Sequence, residues 1–257
     1  MPTADWRQQL RDNLAHVREN IANACQRVGY DPAAIRLVGV TKYVSPTVLR
    51  ELVAAGRPDI GESRVQQLVA RARELGPSRM DWPDEPESGP GQGPRWHLIG
   101  HLQRNKVKLL LPHARIIHSL DSVRLAETLE QQAEQIGAVV EAFIEVNLAG
   151  EASQTGIQPA EVRALVDAVN GCRRIRLRGL MTMAPLDPDP EAARPHFARL
   201  RELLERLRAD RAVPPTCAHL SMGMSQDYTV AVEEGATFVR IGSALFEGLP
   251  GGDPLAG

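Results

Sequence analysis

Apolar residues recur along this chain in two alternating periods. Over 5–28, Leu10, Leu14, Val17, Ile21, Ala24 and Val28 return at steps of three and four. That spacing predicts an amphipathic helix with Gly29 as its stop. A β-branched, apolar run at 35–41 then predicts a strand. Ser45 and Pro46 open the next helix as N-cap and first residue, and Gly56 closes it. Further strand patterns fall at 59–62, 96–100, 116–120, 139–147, 177–182, 218–222 and 237–242. Helical periodicity fills 64–75, 102–111, 122–136, 159–170, 191–210 and 226–234.

Eight strands alternating with seven helices predict an α/β fold, a (β/α)8 TIM barrel with an extra N-terminal helix. An open doubly wound sheet is the weaker alternative, because no GxGxxG turn follows the first strand. The segment 76–95 breaks the rhythm with five prolines and four glycines. It predicts a mobile surface insertion, either a lid or a solvated loop. Residues 249–257 are expected to fray. With no internal repeat visible, 1–257 is expected to form one domain.

Composition narrows the classes. At 257 residues the length suits one barrel, and 43% hydrophobic with 24% charged residues is ordinary globular content. No apolar run reaches the length of a membrane span, and the N-terminus has no apolar signal core. A net charge of −2 leaves no basic footprint for nucleic acid. Cys25, Cys172 and Cys217 lie far apart, which predicts buried thiols in a reducing cytoplasm rather than zinc ligands or disulfides.

Candidate chemistry sits at the strand ends, since a barrel keeps its active face there. Lys42 follows the first strand, and alternation places it on the side of Val38 and Val40. A partly desolvated lysine at that mouth is an amine nucleophile; a rim lysine reaching into solvent is the other reading. It is one of only three lysines among 30 basic residues, and Lys106 and Lys108 read as a solvated face. The loops LSMGMS at 220–225 and RIGS at 240–243 follow strands seven and eight. Barrels often bind phosphate there, on free amides at helix starts. Ordinary capping by Ser225 and Ser243 explains the same residues equally well.

Other signals fade on inspection. His97 and His101 have the spacing of a helical metal pair but fall in and after a strand pattern. The Gly89–Pro94 run has neither a preceding strand nor a following Lys-Ser/Thr, so it is no phosphate loop. The arginines of 173–178 read as a solvated strand edge.

Six ordered motifs nevertheless form one set: VTK at 40–42, IGESRVQ at 60–66, WHLIGHLQRNK at 96–106, GLMTM at 179–183, LSMGMS and RIGS. Together they resemble the pyridoxal phosphate homeostasis protein family (YggS/PROSC, PLP-binding proteins) from about residue 5 to 248. That family is similar to the barrel of alanine racemase, the fold-type III PLP enzymes, without the racemase's added β-domain. The resemblance implies that pyridoxal 5'-phosphate (PLP) is held as an aldimine on Lys42. It implies a role in intracellular PLP (vitamin B6) homeostasis and, indirectly, amino-acid metabolism, without established turnover. Ser221, Gly242 and Ser243, with the backbone around Met224 and Ser225, would hold the phosphate. Arg240 would face the pyridine nitrogen and keep it unprotonated, which makes the ring a poorer electron sink. Asn147 and Met183 would line the cavity. PLP-dependent apoenzymes are the implied recipients.

Two departures from the family pattern stand out. GESRVQQ at 61–67 puts Ser63 and Arg64 where an asparagine and a tyrosine are common. Gln154 stands where some members carry a lysine. The rival reading is a fold-type III amino-acid racemase, which needs a base on each face of its substrate. Lys42 supplies one base. The opposing tyrosine of alanine racemase comes through its β-domain, and alternation turns Tyr43 away from Lys42. The racemase also dimerises through that β-domain, so a monomer is expected here.

Overall fold

Parallel strand follows helix eight times, and the eighth strand returns to pair with the first. The computed structural model describes residues 5–41, 44–56, 59–76, 78–82, 93–150 and 155–249. Its strands are β1 (Arg36–Val40), β2 (Asp59–Glu62), β3 (Arg95–Leu98), β4 (Ile116–Leu120), β5 (Val140–Glu145), β6 (Ile175–Met181), β7 (His219–Ser221) and β8 (Phe238–Ile241). They run in sequential order round a closed barrel. The helices are α1 (Trp6–Val28), α2 (Pro46–Ala54), α3 (Val65–Leu75), α4 (Val107–Leu110), α5 (Val123–Gln135), α6 (Val162–Asn170), α7 (Arg194–Ala209), α8 (Tyr228–Glu233) and α9 (Ser243–Phe246). The expected (β/α)8 architecture with a leading helix is therefore present. None of these helices is long and apolar enough to cross a membrane.

Local chemistry explains most boundaries. Asp5 caps α1 by accepting from the Arg7 amide, and Gly29 ends it at φ 74°. Ser45 caps α2 and Pro46 occupies its first turn. α1 packs across α8 and α9. There Asn13 Nδ2 donates to the Leu245 and Glu247 carbonyls, and Asn20 Nδ2 donates to the Tyr228 hydroxyl. The extra helix thus closes the seam beside β8, satisfying carbonyls left at the end of α9.

Two apolar layers follow from strand alternation. Outward-facing residues such as Leu37, Ile60, Ile117, Ile144 and Val239 join the helices in one continuous core. Inward-facing Val38, Ile116, Phe143, Met181 and Phe238 form a second cluster inside the barrel. β5 and β6 slip register between Ala142 and Phe143, where Arg178 is bypassed. Gly179 fills that slip, because a Cβ there would lie 1.8 Å from the His219 carbonyl oxygen.

The insertion expectation needs correction at its edges. Residues 83–92 lie outside the described residues. Arg79, Asp81, Trp82 and Arg95, however, are built into the N-terminal end of the barrel, opposite the strand ends that carry the candidate site. Trp82 is 3% exposed. Its ring centroid lies 6.1 Å from Phe143, 5.3 Å from His219 and 5.5 Å from Phe238. The Arg178 guanidinium covers its outer face at 4.4 Å. Asp81 accepts from both Arg79 and Arg95, at 2.6 and 2.9 Å. These residues form a plug, neither a lid nor a solvated loop. Arg178 likewise leaves the expected solvated edge: it pairs with buried Glu141 at 2.6 Å.

Candidate functional site

The C-terminal ends of β5 to β8 bring four polar groups into the barrel mouth. Arg240 comes from β8 and is 3% exposed. Its Nη1 donates to Ser221 Oγ at 2.7 Å, and its Nη2 donates to the Thr182 carbonyl at 2.9 Å. Among the described residues its Nε–H has no acceptor. Burial lowers the guanidinium to about 10, while the charges of Glu145 and Asp227 act the other way. It therefore stays cationic at neutral pH. Glu145, from the end of β5, is 2% exposed. Its Oε1 accepts from Thr155 Oγ1, and its buried Oε2 has no partner among the described residues. Burial pushes this carboxyl above its usual range, and the Thr155 bond opposes the shift.

The loops after β7 and β8 meet at Ser225. Its Oγ accepts from the Gly242 amide at 3.1 Å and the Ala244 amide at 3.3 Å. Asp227 holds the Met224 amide at 2.6 Å. Burial raises the Asp227 carboxyl, against that hydrogen bond. Gly223 turns at φ 92°, and a Cβ there would lie 2.6 Å from Ala231 Cβ. Gly242 lies so close to β1 that a Cβ would sit 3.3 Å from the Val40 carbonyl. The result is a cluster of backbone amides gathered on the Ser225 and Asp227 side-chain oxygens, beside a buried cation. Backbone amides at a helix start beside a buried cation are groups that bind a phosphate.

The expected site residues divide on this geometry. Met224, Ser225, Arg240 and Gly242 converge here, and exposed Ser243 opens α9. Ser221, also expected on the phosphate, is fully buried. Its hydroxyl lies within the barrel, between Arg240 and His118, with 2.7 Å to each. Met183 packs on the interior cluster at the mouth. Asn147 is 5% exposed and its Oδ1 accepts from the Gly150 amide at 3.0 Å, the work of a turn. Lys42, Tyr43 and Gln154 lie outside the described residues.

Residues flanking Lys42 are described, and sequence reading passed over their supports. Arg71, from α3, donates to the carbonyls of Thr41 and Val44, the latter at 3.0 Å. It also pairs with Glu62 at 2.6 Å, and Glu62 accepts from Thr41 Oγ1. One guanidinium thus ties both sides of the Lys42 position to the helix layer. Burial raises the Glu62 carboxyl, against the Thr41 and Arg71 bonds. Ser63 is half-buried and Arg64 exposed. His97 is fully buried inside the barrel, while His101 is exposed and pairs with Asp121 at 3.0 Å. They share no site, and no group of three potential metal ligands occurs among the described residues.

Comparison with known proteins places the chain in a family. The alanine racemase N-terminal domain family matches residues 12–250. Pyridoxal phosphate homeostasis proteins of Aquifex aeolicus and Pseudomonas aeruginosa are 38% and 36% identical. The first covers 91% of this chain and 96% of its own, the second 96% and 99%. The PLP-bound structure of PipY from Synechococcus elongatus superposes with TM-score 0.72 at 33% identity, covering 90% of this chain and 99% of its own. Alanine racemase of Clostridium difficile shares the fold, with TM-score 0.67 at 15% identity over 94% of this chain and 60% of that one. A closed parallel barrel, a buried arginine at the mouth, an amide cradle after β7 and β8, and these relatives lead to one assignment: the chain belongs to the pyridoxal phosphate homeostasis protein family, on the fold of the alanine racemase N-terminal domain.

Proposed function

We propose that this protein binds pyridoxal 5'-phosphate at the barrel mouth as a Schiff base to Lys42 and serves intracellular PLP homeostasis without catalytic turnover. The observation that carries the reading is Arg240, a buried guanidinium at the mouth with both terminal nitrogens anchored. A cation held there disfavours protonation of the pyridine nitrogen. PLP supplies a reactive aldehyde and an electron-withdrawing ring when bound. Arg240 weakens the second property while the site keeps the first, which suits retention over turnover. The amides of Gly242 and Ala244, released from Ser225 or shared with it, hold the phosphate, with Ser243 and Met224 beside them. Met183 and Asn147 border the ring. Ser221 acts behind Arg240.

Val38, four residues before Lys42, lies in the interior cluster, which supports the alternation argument. Arg71 holds the backbone on either side of it. The PLP-bound relative, 33% identical, supports the ligand. The three cysteines are free thiols, which suits a cytoplasmic protein. It works there as a monomer, with PLP-dependent apoenzymes as recipients of the cofactor. To test the reading, PLP is added to purified protein, the excess is removed by desalting, and absorption spectra are recorded for the wild type and Lys42→Ala. A retained band absent from the variant supports it. A colourless wild type leaves a phosphate-binding barrel with another ligand.

A further inference from the structure

Beneath the site, polar side chains cross the apolar interior in single file. His118 Nδ1 lies 2.7 Å from Ser221 Oγ, and its Nε2 lies 2.9 Å from His97 Nδ1. His97 Nε2 lies 3.1 Å from Asp59 Oδ1, which Arg95 also holds at 2.7 Å. His97, His118 and Ser221 are fully buried, with Asp59 at 7% and Arg240 at 3% exposed. Asp59 begins β2 and Arg240 nears the end of β8. The file therefore joins the plugged end of the barrel to its mouth.

Each proton in the file is determined by its neighbours. Arg240 can only donate, so Ser221 Oγ accepts from it. The Ser221 proton then needs an acceptor, and His118 Nδ1 is the one within reach. Burial holds His118 well below the usual imidazole range, so it is neutral, and its single proton sits on Nε2. That proton is donated to His97 Nδ1, and His97 Nε2–H is donated to Asp59. The opposite polarity requires a cationic His97. It would bury a further positive charge between Arg240 and Arg95, although Asp59 is already paired with Arg95.

We infer that Arg240, Ser221, His118, His97 and Asp59 form one hydrogen-bond relay of fixed direction, in which His97 and His118 are positioning residues for the ring-facing guanidinium. The ligand's identity rests on the reading above; the relay itself does not. Two consequences distinguish it from simple packing. The Ser221 hydroxyl has no proton to offer a ligand, so Ser221 holds Arg240 rather than phosphate. And a change at His97, which contacts neither Ser221 nor Arg240, must be felt at the mouth. With His97→Phe, His118 Nε2 faces an apolar ring. The His118 proton then moves to Nδ1, where it donates to Ser221, and the Ser221 proton is released toward the ligand.

Nitrogen NMR of the imidazoles, recorded on full-length protein free of PLP, reads this directly. In the wild type both His97 and His118 should carry a single proton on Nε2. In His97→Phe the His118 proton should move to Nδ1, and His16→Gln, on the exposed face of α1, should leave it in place. Finding His118 protonated on Nδ1 in the wild type, or His97 doubly protonated, overturns the relay. So does a His118 proton that stays on Nε2 in His97→Phe. PLP is then added. A shifted ratio of the bound cofactor's absorption bands at fixed pH in His97→Phe, matched by His118→Phe, supports transmission to the mouth. His118→Phe retains the ring that stacks on Phe143 at 4.5 Å. Spectra identical to wild type for both variants would overturn transmission. Failure of the wild type to take up PLP would refute the ligand reading alone, since the NMR result stands without it.

Discussion

Trp82→Ala tests whether the proline-rich insertion is a working part of the barrel. Trp82 is 3% exposed, and its ring meets Phe143, His219 and Phe238 at centroid distances of 5.3–6.1 Å. Truncating a buried tryptophan to alanine costs about 3–5 kcal/mol, because lost transfer energy adds to the cavity left behind. The Arg178 contact at 4.4 Å contributes about 1–2 kcal/mol of that, because the pair is largely desolvated. If Trp82 lay in a solvated loop, the loss would stay within about 0.5 kcal/mol. Urea unfolding of the two proteins, compared at equal slope, separates these cases. A loss of at least about 3 kcal/mol is expected for Trp82→Ala, with Trp82→Phe intermediate. PLP retention by the folded variant should remain, since the plug and the mouth are opposite ends of the barrel. A change inside about 0.5 kcal/mol would refute the plug.

Three further expectations follow from named contacts. The Arg79 and Arg95 bonds hold the Asp81 carboxyl far below its usual range, the Arg79 bond foremost. Its contribution is thus present above about pH 4, its unfolded range, and is lost as pH falls through the lower folded value. Urea midpoints from pH 7 down to 2 should decline less steeply in Asp81→Asn; an unchanged acid slope would contradict the pairing. Arg71→Met leaves the Glu62 carboxylate buried without its cation and should cost about 3 kcal/mol at neutral pH. Because burial raises Glu62, the deficit should shrink as pH falls and the carboxyl protonates; a pH-independent deficit would contradict this. Ser225→Ala removes the acceptor of two amides, for an expected loss of about 1–2 kcal/mol and PLP retention weakened about tenfold. Equilibrium dialysis checks the second figure, and undiminished retention would remove Ser225 from the phosphate cradle.

The strands were legible where one face alternates with the other, and the barrel followed from their number and order. β6 begins at Ile175, two residues before the expected start, because Arg174, Arg176 and Arg178 interrupt the apolar pattern. Two of those arginines are inside the strand and pair with Glu141 from β5. The expected helix over 102–111 shortens to α4 plus a turn of 3-10 helix at Arg104–Lys106, where no side chain caps the start. Trp82 was hidden by its proline and glycine neighbours, since local composition says nothing about what a loop packs under. The meeting of Ser225 and Gly242 was readable from their places after the last strands, whereas Arg240, inside β8, was singled out by the family resemblance. His97 and His118 were not: they stand 21 positions apart, and only the folded barrel brings His118 to Ser221 and His97 to His118. Arg71 was equally silent, because it acts on carbonyls rather than on a ligand.

The central claim is that Lys42 holds the cofactor. Treating the PLP-loaded protein with borohydride fixes any imine, and peptide mass spectrometry then locates the pyridoxyl group. The account predicts one adduct, on the peptide containing Lys42. An adduct on Lys106 or Lys108, or none on a protein that retains PLP, would contradict it.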